Sequence, residues 1–97
     1  MSEHHVGYMQ VTLQWSDFDI SIKYALCWLS GPMSHIELHC LEPLPVTETG
    51  YKSIFLAKGI LKDEDEVLSF VSTLLDEAAQ SDAWQLHMAD RRQLKLF

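Results

Sequence analysis

Apolar and polar residues alternate through the first part of the chain. Met9, Val11, Leu13 and Trp15 take turns with Gln10, Thr12 and Gln14, the period of a strand that buries one face. Ser16-Asp17-Phe18-Asp19 holds turn formers, and alternation resumes as Ile20, Ile22, Tyr24 and Leu26 against Ser21, Lys23 and Ala25. The two runs predict a hairpin. Ser30-Gly31-Pro32 breaks the chain. From His35 to Cys40 the pattern returns, with Ile36, Leu38 and Cys40 on one face and His35, Glu37 and His39 on the other. Pro43 and Pro45 exclude ladder pairing through the next stretch, Gly50 closes that loop, and Ser53 to Ala57 is apolar enough for a fourth strand.

The periodicity then changes. Val67, Val71, Leu74, Leu75 and Ala78 fall on one helical stripe. Asp63 is placed to cap the helix start, with Glu66 in capping-box register. The run Asp63-Glu64-Asp65-Glu66 suits the positive end of the helix dipole. Ser81-Asp82 reads as a stop and a fresh cap before a short second helix around Trp84, Met88 and Arg91. The expected architecture is α+β: a small two-layer sandwich, an antiparallel sheet of about four strands followed by C-terminal helix. Residues 1–90 form the domain and residues 91–97 a tail.

Composition narrows the function classes. The chain has 97 residues, 47% of them hydrophobic, enough for one modest core. Acidic residues number 14 against 7 basic, for a net charge of −7. That balance argues against direct nucleic-acid binding, which needs clustered Lys and Arg, and against anionic membrane surfaces. No apolar run approaches the ~18 residues of a membrane span, and the start Met1-Ser2-Glu3-His4-His5 shows no secretory pattern, so a cytoplasmic location is expected. Cys27 and Cys40 form a disulfide only if their strands are neighbours and face each other; otherwise they serve as small buried hydrophobes.

Catalytic signatures are missing. There is no nucleophile elbow, no Gly-rich phosphate loop and no zinc-peptidase helix, so neither an enzyme nor a cofactor is expected. His35, Glu37 and His39 are the candidate metal ligands, the basis for a small metal-dependent hydrolase. Their spacing along a strand, ~6.5–7 Å between alternate residues, converges poorly on one ion and equally describes a solvated polar face. Asp63 to Glu66, with Asp76 and Glu77, supply a second alternative: an acidic surface imitating DNA, as in inhibitors of the anti-restriction or anti-CRISPR type. The plainer reading is a solvated helix face.

Two segments carry resemblances. Leu44-Pro45-Val46-Thr47-Glu48-Thr49-Gly50-Tyr51-Lys52-Ser53, followed by Phe55, resembles a segment of short proteobacterial proteins, often plasmid- or mobile-element-associated, that read roughly L-P-x-T-E-T-G-Y-[RK]-S-x-F. The likeness extends through His35-Ile36-Glu37 and toward Trp84, and it implies a bacterial or phage origin and an intact small fold without supplying chemistry. Gly50 can take positive φ there, making the block a structural loop; the other reading is a recognition loop presenting Glu48, Tyr51 and Lys52.

The last five residues, Gln93-Leu94-Lys95-Leu96-Phe97, look like the pentapeptide Q-L-[S/D]-L-F by which bacterial polymerases and repair proteins dock on the DNA polymerase sliding clamp. Gln93, Leu94, Leu96 and Phe97 match, and Lys95 departs from the usual small or acidic residue. At ordinary residue usage, such a match arises on the order of once in 10⁵ sites. The resemblance implies a protein partner, the sliding clamp, with Arg91 and Arg92 steering the tail toward an acidic surface. The alternative is that Leu94, Leu96 and Phe97 fold back as the domain's last apolar patch. A small sheet with an open edge also permits a homodimer.

Overall fold

A computed structural model describes residues 8–28 and 33–95, with residues 27–28 and 92–95 described through their backbone alone. Four strands, β1 (Met9–Trp15), β2 (Phe18–Trp28), β3 (Met33–His39) and β4 (Tyr51–Ala57), precede two helices, α1 (Glu64–Ala78) and α2 (Asp82–Lys95). The strands form one antiparallel sheet in the order β1-β2-β3-β4. This is the expected α+β layering of sheet and helix. The second helix is longer than its sequence signal suggests and continues through Lys95, so the expected tail boundary at Arg91 falls within it.

Register explains which residues meet. Val11 faces Ile22 and Leu13 faces Ile20, Ile22 faces Leu38 and Tyr24 faces Ile36, and Ile36 faces Ile54. Period-two alternation therefore gathers these side chains on one face, and α1 covers it with Val67, Val71 and Leu75, all fully buried. Met9 has the right parity, yet it is 56% exposed, because it lies at the outer end of an edge strand.

The hairpin between β1 and β2 is tighter than expected. Trp15 pairs with Phe18, so only Ser16 and Asp17 turn, and Ser16 takes φ 54. A positive φ on a residue other than Gly, Asn or Asp is uncommon. Phe18, which turn-rich surroundings had suggested was part of the turn, instead belongs to the core at 1% exposure.

Helix α1 runs along the sheet in the direction of β1. At its start, Glu64 accepts a 2.7 Å hydrogen bond from the Tyr24 hydroxyl, beside the beginning of β1. Near its end, Asp76 accepts from Trp15 Nε1–H at 2.8 Å. The rise from Glu64 to Asp76, about 18 Å at 1.5 Å per residue, matches the span from Met9 to Trp15, about 20 Å. The cap is one residue out of the expected box. Asp63 accepts from the Glu66 backbone N–H at 2.9 Å, while the Glu66 carboxylate reaches the N–H of Lys62 at 2.7 Å rather than that of Asp63.

The register also separates the cysteines. Cys40 follows the Ser21–His39 pair, at the opposite end of β2 from Cys27, and it is a free thiol. The sheet pairing thus excludes the Cys27–Cys40 disulfide that depended on close neighbours.

Two expectations follow. Val71→Asp places an unpaired carboxylate where exposure is zero; it should cost about 3–5 kcal/mol and lower the melting temperature by at least ~15 °C, read by circular dichroism. Burial, then the hydrogen bond to Glu64 and the charges of Glu64 and Asp63, push the Tyr24 phenol from 10.0 up to about 12. The folded state thus holds its proton after the unfolded chain has released it. This contribution is complete below pH 10 and fades as pH climbs toward about 12. Melting temperature should fall more steeply above pH 10 in the natural protein than in Tyr24→Phe.

Candidate functional site on the open face of the sheet

Among the described residues, helix covers one face of the sheet, and side chains of the strands line the other. His35, Glu37 and His39 lie on this open face, as the alternation requires, but they are used unequally. His35 is buried, with its side chain 7% exposed, whereas Glu37 is 20% and His39 44% exposed. The His35 ring stacks on Phe55 at 4.4 Å and 13° and meets Tyr8 edge-on at 5.7 Å. Its Nδ1 is hydrogen-bonded to the Tyr8 hydroxyl and its Nε2 to Ser53 Oγ at 2.7 Å. Both ring nitrogens thus have hydrogen-bond partners. Ala25, which faces His35 in the register, contributes only a methyl group to this face.

Glu37 joins the two histidines without focusing them on a point. One carboxylate oxygen is 3.1 Å from His39 Nε2, and the other is 3.8 Å from His35 Nε2. Among the described residues no group of three His, Cys, Asp or Glu side chains is arranged to hold a metal. The candidate ligands therefore share a face and do not form a coordination site. Both His35 nitrogens are already engaged in holding Tyr8 and β4 together.

A groove of about 510 Å³ opens further down this face. Its floor is one cross-strand row: Thr12 opposite Ser21, Ser21 opposite His39, and His39 opposite Tyr51. Asp19 lies at one wall and Leu41, fully exposed, at the rim. Tyr51 is 45% exposed and meets His39 edge-on at 4.9 Å.

The loop behind the groove is built rather than loose. Leu44 and Thr47 exchange backbone hydrogen bonds of 2.8 and 3.0 Å, and Cys40 N–H donates to Gly50 O at 2.8 Å. Gly50 has φ 82, the positive value expected of it. A Cβ there would lie 2.2 Å from the Cys40 carbonyl oxygen, so no larger residue fits. The loop also disperses its three candidate recognition residues. Tyr51 faces the groove, and Lys52, opposite Leu38, lies on the other face. Glu48 borders a separate cleft of about 450 Å³ with Pro43, Pro45, Trp84 and His87. Each is exposed, but they do not form one surface.

Four of the six carboxylates proposed as a DNA-like surface have local hydrogen-bond duties. Asp63 and Glu66 cap α1, Glu64 accepts from Tyr24, and Asp76 accepts from Trp15. Their positions follow from helix capping and from tyrosine and tryptophan partners.

Arg91 departs from the role expected of it. Its guanidinium grips Glu42 through Nε at 2.8 Å and Nη2 at 3.1 Å, lies 3.6 Å from Asp17, and sits over the Phe18 ring at 4.7 Å. The hydrogen bond to Glu42 leads the effects that raise its pKa above the ordinary value. With the side chain 12% exposed, Arg91 anchors α2 to the domain instead of steering a tail. Nothing in the sequence near Arg91 signals this partner, since Glu42 is far away along the chain. The side chains of Gln93, Leu94 and Lys95, and all of Leu96 and Phe97, lie outside the described residues.

The model of the KlcB third domain matches residues 8–84. The chain belongs to that family. The KlcB third-domain match contains all four strands, α1 and the beginning of α2, so the open face and its groove are part of the family unit, whereas Arg91 and the pentapeptide follow it. No curated protein and no solved structure matches the chain. Among the described residues of this KlcB third domain, no helix is long and apolar enough to cross a membrane.

The two glycines of positive φ among the described residues provide a test of the loop. Gly59, at φ 94, has nothing within 4 Å of an added Cβ, whereas Gly50 has the Cys40 carbonyl. Gly59→Ala should cost about 1 kcal/mol in backbone strain. Gly50→Ala should cost at least ~2 kcal/mol more, because backbone must move. Chemical denaturation of both variants measures the difference.

Proposed function

We propose that this KlcB third-domain chain is a bacterial protein of plasmid or mobile-element type that acts by binding other proteins, with the DNA polymerase sliding clamp as its partner. The observation that carries the reading is the segment Gln93-Leu94-Lys95-Leu96-Phe97. Its first three residues form the end of α2, whose backbone is helical through Lys95. Arg91 supports the reading from the domain side. It fastens α2 to Glu42 and Asp17 shortly before the segment begins, so the binding residues emerge from a fixed point.

Leu96 and Phe97 supply the apolar anchors, worth ~1.5–3 kcal/mol each when fully buried in a partner's pocket. Leu94 adds a third apolar contact. Gln93 sets the register through its amide, which both donates and accepts. A peptide this short loses conformational entropy on binding, which limits affinity to roughly micromolar.

Leu96→Ala combined with Phe97→Ala should abolish association with purified sliding clamp while shifting the melting temperature by no more than ~2 °C. A large loss of stability together with absence of binding by the natural protein would assign the two residues to the core. A synthetic peptide of Arg91 to Phe97 should displace a clamp ligand at micromolar concentration. Failure at millimolar concentration removes the proposal.

A further inference from the structure

The groove on the open face is unclaimed by this reading, and its composition specifies a ligand by charge. Its nine lining residues include no Lys or Arg, while the Asp19 carboxylate stands at its wall and the half-exposed Tyr51 ring at its end. Thr12 and Ser21 provide hydroxyls on the floor, and His39 an imidazole whose Nε2 faces Glu37 at 3.1 Å. An anion would find a carboxylate and no counter-charge. An organic cation would find three complementary elements: the carboxylate for a charge-assisted hydrogen bond, an aromatic face, and the Thr12 hydroxyl oxygen to accept a remaining N–H group, beside a Ser21 Oγ that also accepts from Gln10 Nε2 at 3.0 Å. The chain's net charge of −7 raises the local concentration of such a ligand.

The same sheet face already shows the interaction internally. Lys23 places its ammonium over the Tyr8 ring, 5.4 Å from the centroid. Lys23 lies one pleat beyond Ser21 on the same face of β2, and its charge is drawn toward Tyr8. At the groove end, the equivalent aromatic ring, Tyr51, has no lysine of its own among the lining residues. The volume, about 510 Å³, falls within the ~300–1,000 Å³ range of small-molecule sites.

We propose that this groove binds a small alkylammonium ligand of the diamine or polyamine class, held by Asp19 and stacked against Tyr51. Asp19 and Tyr51 are both exposed, so substituting them leaves the core untouched. The probe is spermidine, titrated into the 97-residue protein at moderate salt and followed by amide chemical shifts and calorimetry.

Saturable shifts should be confined to Thr12, Asp19, Ser21, His39 and Tyr51. Asp19→Asn should weaken binding at least tenfold. Tyr51→Phe, which keeps the ring, should bind like the natural protein, and Tyr51→Leu should weaken binding several-fold. A neutral diol of matching length should not bind. Unchanged melting temperatures will establish that the variants are folded. Shifts spread over the carboxylates of α1, equal loss in an Asp65→Asn/Glu77→Gln control, undiminished binding by Asp19→Asn, or no saturation by 10 mM would each overturn the proposal, since they describe diffuse attraction or no site.

Discussion

Burial of Val67, Val71 and Leu75 against Ile20, Ile22, Ile36 and Leu38 is the contact on which the rest of the molecule depends. A four-stranded sheet has two faces, and a chain of 97 residues has helix enough to seal one. Once α1 takes the apolar face, strand side chains among the described residues must stabilise the other. The open face meets that demand with cross-strand pairs. His35 stacks on Phe55, bridges Tyr8 to Ser53, and so ties β4 to the residue preceding β1. A histidine that looks like a metal ligand in the sequence is here a structural clamp between strands.

Much of this was legible in the residues. Alternation from Met9 to Leu26 and from His35 to Cys40 assigned faces correctly, because pleat geometry makes every second residue share an environment. The helical stripe from Val67 was equally readable, and so was the positive φ of Gly50. What the sequence does not display depends on contacts between distant segments. Phe18 looked like turn material beside Ser16 and Asp17, yet the tight hairpin and the rings of Trp15 and Trp84 draw it into the core. Arg91 looked like an exposed charge because its partners, Glu42 and Asp17, are brought near only by the fold. The groove was invisible for the same reason: Thr12, Ser21, His39 and Tyr51 come from four strands and become one row only through pairing.

The KlcB third-domain match ends at residue 84 and supplies the scaffold, and the segment proposed as a clamp ligand lies beyond it. The scaffold's polar groups are largely committed: carboxylates to the caps of α1, Glu64 to Tyr24, His35 to its neighbours. The groove is an exception, because its carboxylate and aromatic ring face open space. The two sites proposed above therefore have different grammars. One is a concave site fixed by strand register, and the other is a linear motif fixed by residue order.

The bidentate grip of Arg91 on Glu42 has a mechanical meaning. Tension applied to the chain beyond α2 is borne first by two parallel N–H···O bonds, backed by the stack on Phe18. Glu42 sits in a loop pinned through the Cys40–Gly50 hydrogen bond to the ends of β3 and β4. A pull on the last residues is thus carried across into the sheet, and Trp84 is spared from being levered out of its aromatic nest. The helix behaves less like a loose end than like a cable clamped close to where it leaves the wall.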